Sequence, residues 1–494
     1  MQQSVRSRHR STLATALTLM IALAVPAAAQ EPESLTLSQA VTEALVRNDR
    51  MINQNDSVEQ ARLGVRLARN TFQPKLVPNI QGSFGQTNIS NQTYRMDLLQ
   101  RFTTGTEVRA GFGASTAQIP PLPGSLDQGD IRFYNADTTL TLSQPLLRGF
   151  GSAVSRRALT SAEVRQADAD RQRRLAEQVV AVEVASAYYR IVAQEALVDV
   201  ARKSFERSLK LRAASEAKLD AGLVSQLDVF RAQQLVSQAE IQLFDAQAAV
   251  EDARDLLRFL IARESDAPFE VARDIPRYSD PVAVEEAVNV AIESRLDYRS
   301  ALAAAEDAER AASFARNQLL PQVDVNLALT RRETADTLRT SFGVDGFQFA
   351  TFFTISMPVD RTPQQIEYQN SLIERDRRQR EITTMRKRIA DDVKRAIRQR
   401  DRLLRTLAAA EASVDIGLKE VEVAQLRYER GLSNNLDVVT AEANLLSIES
   451  RRISALADSA VAQLALRATL GILDPLKDIA PPSGLVQLAV AARP

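Results

Sequence analysis

The sequence predicts a mainly α-helical chain with a β-barrel portion, made of two copies of one unit: a strand hairpin followed by a long helical hairpin. Three observations carry this. Segments 152–221 and 364–430 contain no proline and, between them, a single glycine, Gly417. Proline-bounded stretches ahead of them alternate apolar and polar residues with a period of two. Both features occur twice and in register, as duplication of one unit requires.

Residues 1–29 read as a secretory signal. Arg6, Arg8 and Arg10 precede an apolar run from Thr12 to Val25, and Ala27-Ala28-Ala29 supplies small residues for cleavage. Its removal leaves the exported chain three basic side chains short of its 62 acidic ones, so a nucleic-acid footprint is not expected. The one histidine, His9, lies in this segment, and cysteine is absent. An exported chain without imidazole or thiol lacks the inventory for Ser-His or Cys-His catalysis and for the usual structural zinc sites. No phosphate loop or carboxylate motif stands out, so neither an enzyme nor a cofactor or metal is expected.

Residues 30–267 form the first expected unit. A short and a longer helical pattern lead to LARNTFQPKLVPNI (67–80), which has a counterpart, FARNQLLPQVDVNL (314–327), at offset 247. Pro74, Pro145, Pro321 and Pro358 each fall where a helix must become a strand or the reverse, because proline ends helical bonding and holds its predecessor extended. Between them, Leu140 and Leu142 oppose Thr139, Thr141 and Ser143. In the second unit Val323, Val325, Leu327 and Leu329 oppose Asp324, Asn326 and Ala328, and Phe349, Phe353 and Ile355 share a face. A half-buried sheet in a soluble domain would alternate similarly; the export signal favours an outer-membrane barrel. The first unit holds 34 residues more than the second between corresponding strand markers, including an alternating pair at 96–102 and 106–114. We read this as an external loop or hairpin in preference to additional barrel strands.

After the strands, 70 residues without glycine or proline (152–221) would extend roughly 105 Å as a helix. Small and apolar residues recur at three- and four-residue spacing, as in Val179, Val182, Ala185, Tyr189 and Val192, a narrow stripe suited to coiled-coil-like packing. KLDAGLVSQLDVFRAQ (218–233) then halts the helix at Gly222-Leu223 and restarts it. RYERGLSNNLDVVTAE (427–442) repeats the bend at offset 209, with Gly431-Leu432 and Asp437 matching Gly222-Leu223 and Asp228. Each bend is expected to reverse the chain into an antiparallel helical hairpin.

Residues 268–281 are expected as a linker, 282–473 as the second unit and 474–494 as a tail. Expected strands cover about 76–145 and 322–357, and helical hairpins about 152–262 and 364–470. Two strands per unit give four per chain, too few to close a barrel, and an open edge is costly in lipid. Three chains would supply a trimeric 12-stranded barrel above twelve long helices forming a tube.

These features resemble the TolC-like outer-membrane efflux proteins over roughly Leu35 to Leu473: duplicated halves, the SQPLLRG motif at 143–149, and the twin Gly-Leu-x-x-x-Leu-Asp-Val bends. The resemblance implies a homotrimer in the outer membrane of a Gram-negative bacterium, with the barrel continuing into a long periplasmic α-helical tunnel. It implies a passive exit duct for efflux or type I secretion, with a periplasmic adaptor and an inner-membrane transporter as partners. By the same resemblance Gly222, Leu223, Val224, Ser225, Gly431, Leu432 and Ser433 form adaptor-contacting tips. Asp437 matches a constriction-lining acid, and Tyr428 and Asp228 match partners that hold the entrance closed. Two positions depart from the family pattern: Ser433 stands for a gate arginine, with Arg430 nearby, and Thr440 for a second acid. The alternatives are a periplasmic adaptor or a structural coiled coil, although an adaptor would show one helical hairpin where this chain shows two.

Overall fold

The computed structural model describes residues 33–83, 90–119, 131–263, 269–278, 281–335, 337, 341 and 346–479. The expected signal segment and most of the expected tail lie outside them.

The chain is mainly helical, and its element ends repeat at the offsets of the sequence. A short strand β1 (Glu33–Leu35) leads into α1 (Leu37–Arg47) and α2 (Asp49–Asn70). Four strands follow: β2 (Lys75–Gly82), β3 (Ser90–Arg101), β4 (Glu107–Ile119) and β5 (Ile131–Pro145). A short turn of helix, α3 (Ser152–Ser155), precedes α4 (Arg157–Asp220) and its returning partner α5 (Gln226–Ile261). The second half contains β6 (Phe269–Val271), α6 (Val284–Ser294), α7 (Leu296–Gln318), β7 (Gln322–Ala335) and β8 (Gln348–Ser356). It closes with α8 (Thr362–Glu429) and α9 (Asn435–Leu470). With 64 and 68 residues, α4 and α8 are each about 100 Å long. No described helix is long and apolar enough to cross a membrane.

Strands β2 through β5, then β7 and β8, form one antiparallel sheet in the order β2-β3-β4-β5-β7-β8. This corrects the expected strand count: the sheet has six strands, and the 34 extra residues add a hairpin to it. The physical reason is pairing. β3 bonds along the whole of β2, and β4 along β5 from Glu107↔Ser143 to Ile119↔Ile131, so the hairpin lies between strands whose edges it satisfies. Four strands per chain therefore does not hold.

The register puts apolar residues on one face. Leu76 and Ile80 lie beside Leu98 and Tyr94, Met96 beside Phe112, Leu140 beside Leu329, and Val325 beside Phe353. Ile80, Phe112, Phe349, Phe353 and Ile355 are 58% to 76% exposed, so this face has no covering partner among the described residues. The other face is mainly polar, with Val77, Leu99 and Phe352 among its apolar exceptions.

The prolines stand at the ends of these elements. Pro74 and Pro321 precede β2 and β7, Pro145 ends β5, and Pro358 follows β8. Beyond Pro145 the SQPLLRG segment is fixed to the second half: Leu146 N–H donates to Val323 O at 2.7 Å, and Asn317 Oδ1 accepts from Gly149 N–H at 2.9 Å.

Midway down the helices lies the largest core, where α4 buries Val180, Val184, Tyr188 and Ile191 against α1, α5, α9 and the parallel pair β1–β6. The Tyr188 hydroxyl donates to Leu35 O and accepts from Ala272 N–H, each at 3.0 Å, tying both strands to α4. Part of the expected linker is therefore a strand.

Candidate functional site: the helical tips

Both bends end their helices alike. Gly222 (φ +70°) and Gly431 (φ +73°) adopt the left-handed conformation that glycine tolerates without a Cβ penalty. Leu223 N–H then donates to Lys218 O at 2.8 Å, and Leu432 N–H to Arg427 O at 2.9 Å, closing matching Schellman turns. Leu223 and Leu432 are left exposed at the two tips, 73% and 68%, where a soluble monomer would gain nothing from them. Val224 packs against the tip core, and Ser433 carries a buried Oγ with no hydrogen-bond partner among the described residues.

The restarts differ, and the difference distributes the two aspartates. In the first copy Ser225 is the N-cap, and both its N–H and its hydroxyl donate to Asp228 Oδ2, at 3.1 and 2.8 Å. Arg231, one turn on, lies 3.6 Å from the other oxygen. Asp228 is thus occupied in starting α5, where its charge also complements the helix dipole. In the second copy Asn434 caps α9 by accepting from Leu436 N–H at 3.1 Å. Asp437 is not needed for the cap; it is exposed and has no ion pair among the described residues. Arg430 is likewise exposed and unpaired among them.

Tyr428 is buried at the end of α8, and the first hairpin supplies its partners. Its hydroxyl lies 2.8 Å from Ser215 Oγ in α4. Lys218 Nζ stands 4.1 Å from the ring centroid and donates to the Tyr428 carbonyl oxygen. The side chains of Tyr428 and Asp228 are not brought together. Asp228 meets the second hairpin through its backbone, whose carbonyl accepts from Asn435 Nδ2 at 2.5 Å.

These contacts rest on an apolar cluster drawn from all four helices: Leu211, Ala232, Val421, Ala424, Tyr428, Val438, Ala441 and Leu445. Above it, Arg207 Nε reaches both oxygens of Glu442, at 2.9 and 2.7 Å, and Gln425 Nε2 donates to Oε1 at 3.2 Å. Burial pushes the Glu442 carboxyl above its ordinary range, against the pull of Arg207. Sequence reasoning missed Ser215, Lys218, Asn435 and the Arg207–Glu442 pair. Only Asn435, a polar residue in the first turn of α9, stood out of pattern. The set can hold two hairpins together through hydrogen bonds and one buried ion pair.

A protein-family model described as outer membrane efflux protein matches residues 40–263 and 287–472. Among curated proteins, the fusaric acid resistance protein FusA of Burkholderia cepacia is 34% identical over 158 residues, 32% of this chain. That match spans 28% of the relative's own length. Among solved structures, the CmeC outer membrane channel of Campylobacter jejuni aligns with a TM-score of 0.66 at 14% identity, covering 90% of this chain and 88% of that one. The outer membrane protein VceC of Vibrio cholerae aligns with a TM-score of 0.65 at 17% identity, covering 88% and 96% respectively. At such identities the likeness establishes the fold.

Proposed function

The chain belongs to the outer membrane efflux protein family, and from that premise we propose that it is the passive exit duct of a tripartite exporter. Three copies close a β-barrel in the outer membrane of a Gram-negative bacterium, and their helical hairpins continue it as a periplasmic tunnel. The observation that carries this reading is the sheet: apolar on one face, mainly polar on the other, unpaired at both edges among the described residues and joined to helices about 100 Å long. Lipid covers the apolar face, and neighbouring copies satisfy the edges.

The tips form the gated entrance. Gly222 to Ser225 and Gly431 to Ser433 meet a periplasmic adaptor, which couples the duct to an inner-membrane transporter. Asp437 places three carboxylates around the mouth in the trimer, a ring that concentrates negative potential and favours cations. Tyr428 and Arg207–Glu442 hold the hairpins together when the entrance is closed, and Arg430 borders it. Small toxic compounds are the proposed cargo, as the name of the fusaric acid resistance relative suggests by analogy.

Deleting the gene tests the cargo. Greater sensitivity to small aromatic acids and drugs with an unchanged secreted proteome is expected. Loss of a secreted polypeptide with unchanged sensitivity would point to type I secretion.

A further inference from the structure

The hairpin β3–β4 has no counterpart among the described residues of the second half, yet it is built as wall. Its apolar residues Tyr94, Met96, Leu98 and Phe112, each 40% to 58% exposed, continue the apolar face that runs from Ile80 to Ile355. A loop standing free in water has no use for such a face.

The polar face carries a second, independent mark. Arg95 of β3 pairs with Asp97 at 3.0 Å and reaches across β4 to Asp137 of β5 at 3.1 Å. It crosses where β4 has Gly111 and Gly113. A Cβ at Gly111 would lie 2.7 Å from Asp97 Oδ1 and 2.8 Å from Arg95 Nη2, and one at Gly113 would lie 2.2 Å from Asp137 Oδ1. The glycines clear a path for an ion-paired arginine that stitches three strands together.

The hairpin turn also sits at the level of the helices. Gly151 N–H donates to Thr104 O at 3.2 Å, so the turn is seated beside the junction of β5 and α4.

We propose that β3–β4 is a wall segment of the duct, so that three chains close an eighteen-strand barrel by pairing β8 of one copy with β2 of the next. The inference rests on the trimeric reading above. In a sheet of six strands in strict alternation, β2 and β8 run in opposite directions. Their edges therefore join as an antiparallel pair and keep the strand number even.

The dimensions agree. Four helices of each chain (α2, α4, α7 and α8) connect to the sheet, and twelve helices about 9 Å apart make a ring about 34 Å across. Strands about 4.8 Å apart and tilted about 40° give a ring about 36 Å across for eighteen, and about 24 Å for twelve. Eighteen strands carry the bore of the helical tube through the membrane without a step. Over the hairpin, that bore is lined by Arg95, Asp97, Glu107, Arg109 and Asp137, whose charges largely neutralise one another.

Electron cryomicroscopy of the full chain in lipid nanodiscs tests the strand number. A closed trimer with eighteen strands is expected. A trimer with twelve, and residues 90–119 outside the wall, would overturn the proposal and leave the trimeric duct standing. Particles that are not closed trimers would overturn both. Thiol labelling in proteoliposomes is a second readout, clean because the chain has no cysteine. Ser115→Cys, on the polar face, should react with a charged thiol reagent at least tenfold faster than Phe112→Cys, on the apolar face. Equal rates would refute the wall assignment.

Discussion

The Tyr428 hydroxyl lies 2.8 Å from Ser215 Oγ, and this contact joins two helical hairpins whose partners are 213 residues apart in sequence. Both groups are buried, so neither finds water if the other is removed. Tyr428→Phe keeps the ring over which Lys218 sits and deletes only the hydroxyl. A hydrogen bond of this kind contributes about 1 kcal/mol, roughly a fivefold shift in a two-state equilibrium. The variant should therefore show about fivefold greater open occupancy per hairpin pair in planar bilayers, and Ser215→Ala should match it.

Glu442 gives the tip region a pH dependence of definite sign. Burial raises its carboxyl above the ordinary value near 4.5, Arg207 and Gln425 opposing and Glu449 assisting. The folded protein thus holds this proton to higher pH than the unfolded chain does. Its contribution to stability is fully present below about pH 4.5 and is lost as pH rises through the raised folded value. Thermal melts of the native protein and Glu442→Gln should show a stability difference that shifts against the native protein between pH 4.5 and neutrality. A difference independent of pH would contradict the assignment.

Ala262 and Gly471 end α5 and α9 at equivalent positions, and both have positive φ, +52° and +74°. A Cβ at Gly471 would lie 2.9 Å from Arg295 N and 3.0 Å from its Cα, backbone atoms at the α6–α7 joint. Gly471→Ala should cost on the order of 2 kcal/mol, from left-handed strain plus that contact. Ala262→Gly should gain about 0.5 kcal/mol, since relief of strain exceeds the added chain entropy. The melting order Ala262→Gly, native, Gly471→Ala checks both.

Asn317 holds the SQPLLRG segment by accepting from Gly149 N–H and donating to Leu147 O at 3.3 Å. Asn317→Ala leaves Gly149 N–H without that acceptor at the helix–sheet junction, while Leu147 O still accepts from Phe150 N–H, and should cost about 1–3 kcal/mol. Asn317→Asp retains the acceptor and should lose less. The temperature at which the detergent-solubilised assembly dissociates on a gel ranks the three proteins.

The ends of elements were legible because they depend on local chemistry: glycines that reverse a helix, prolines that divide helix from strand, and a period that changes between them. Repetition at fixed offsets made each sign count twice. The entry of the β3–β4 hairpin into the sheet is not legible from the sequence, because the shorter second half serves as the template. Its alternation of Tyr94, Met96 and Leu98 against Arg95 and Asp97 was visible, but its partners β2 and β5 are a long-range choice that periodicity does not encode. The tip contacts were hidden for a similar reason. Ser215 is one small residue on a long stripe of them, and its pairing with Tyr428 exists only once two hairpins pack. The roles of Asp228 and Asp437 diverge through a single cap position, Ser225 against Asn434, which the matching Leu-Asp-Val motifs conceal.

The most direct test of the duct itself is electrical. Purified protein added to a planar lipid bilayer should give discrete single-channel steps that favour cations, with the preference reduced in Asp437→Ala. Bilayers that stay electrically tight as protein is added, under conditions where it demonstrably inserts, would contradict the reading.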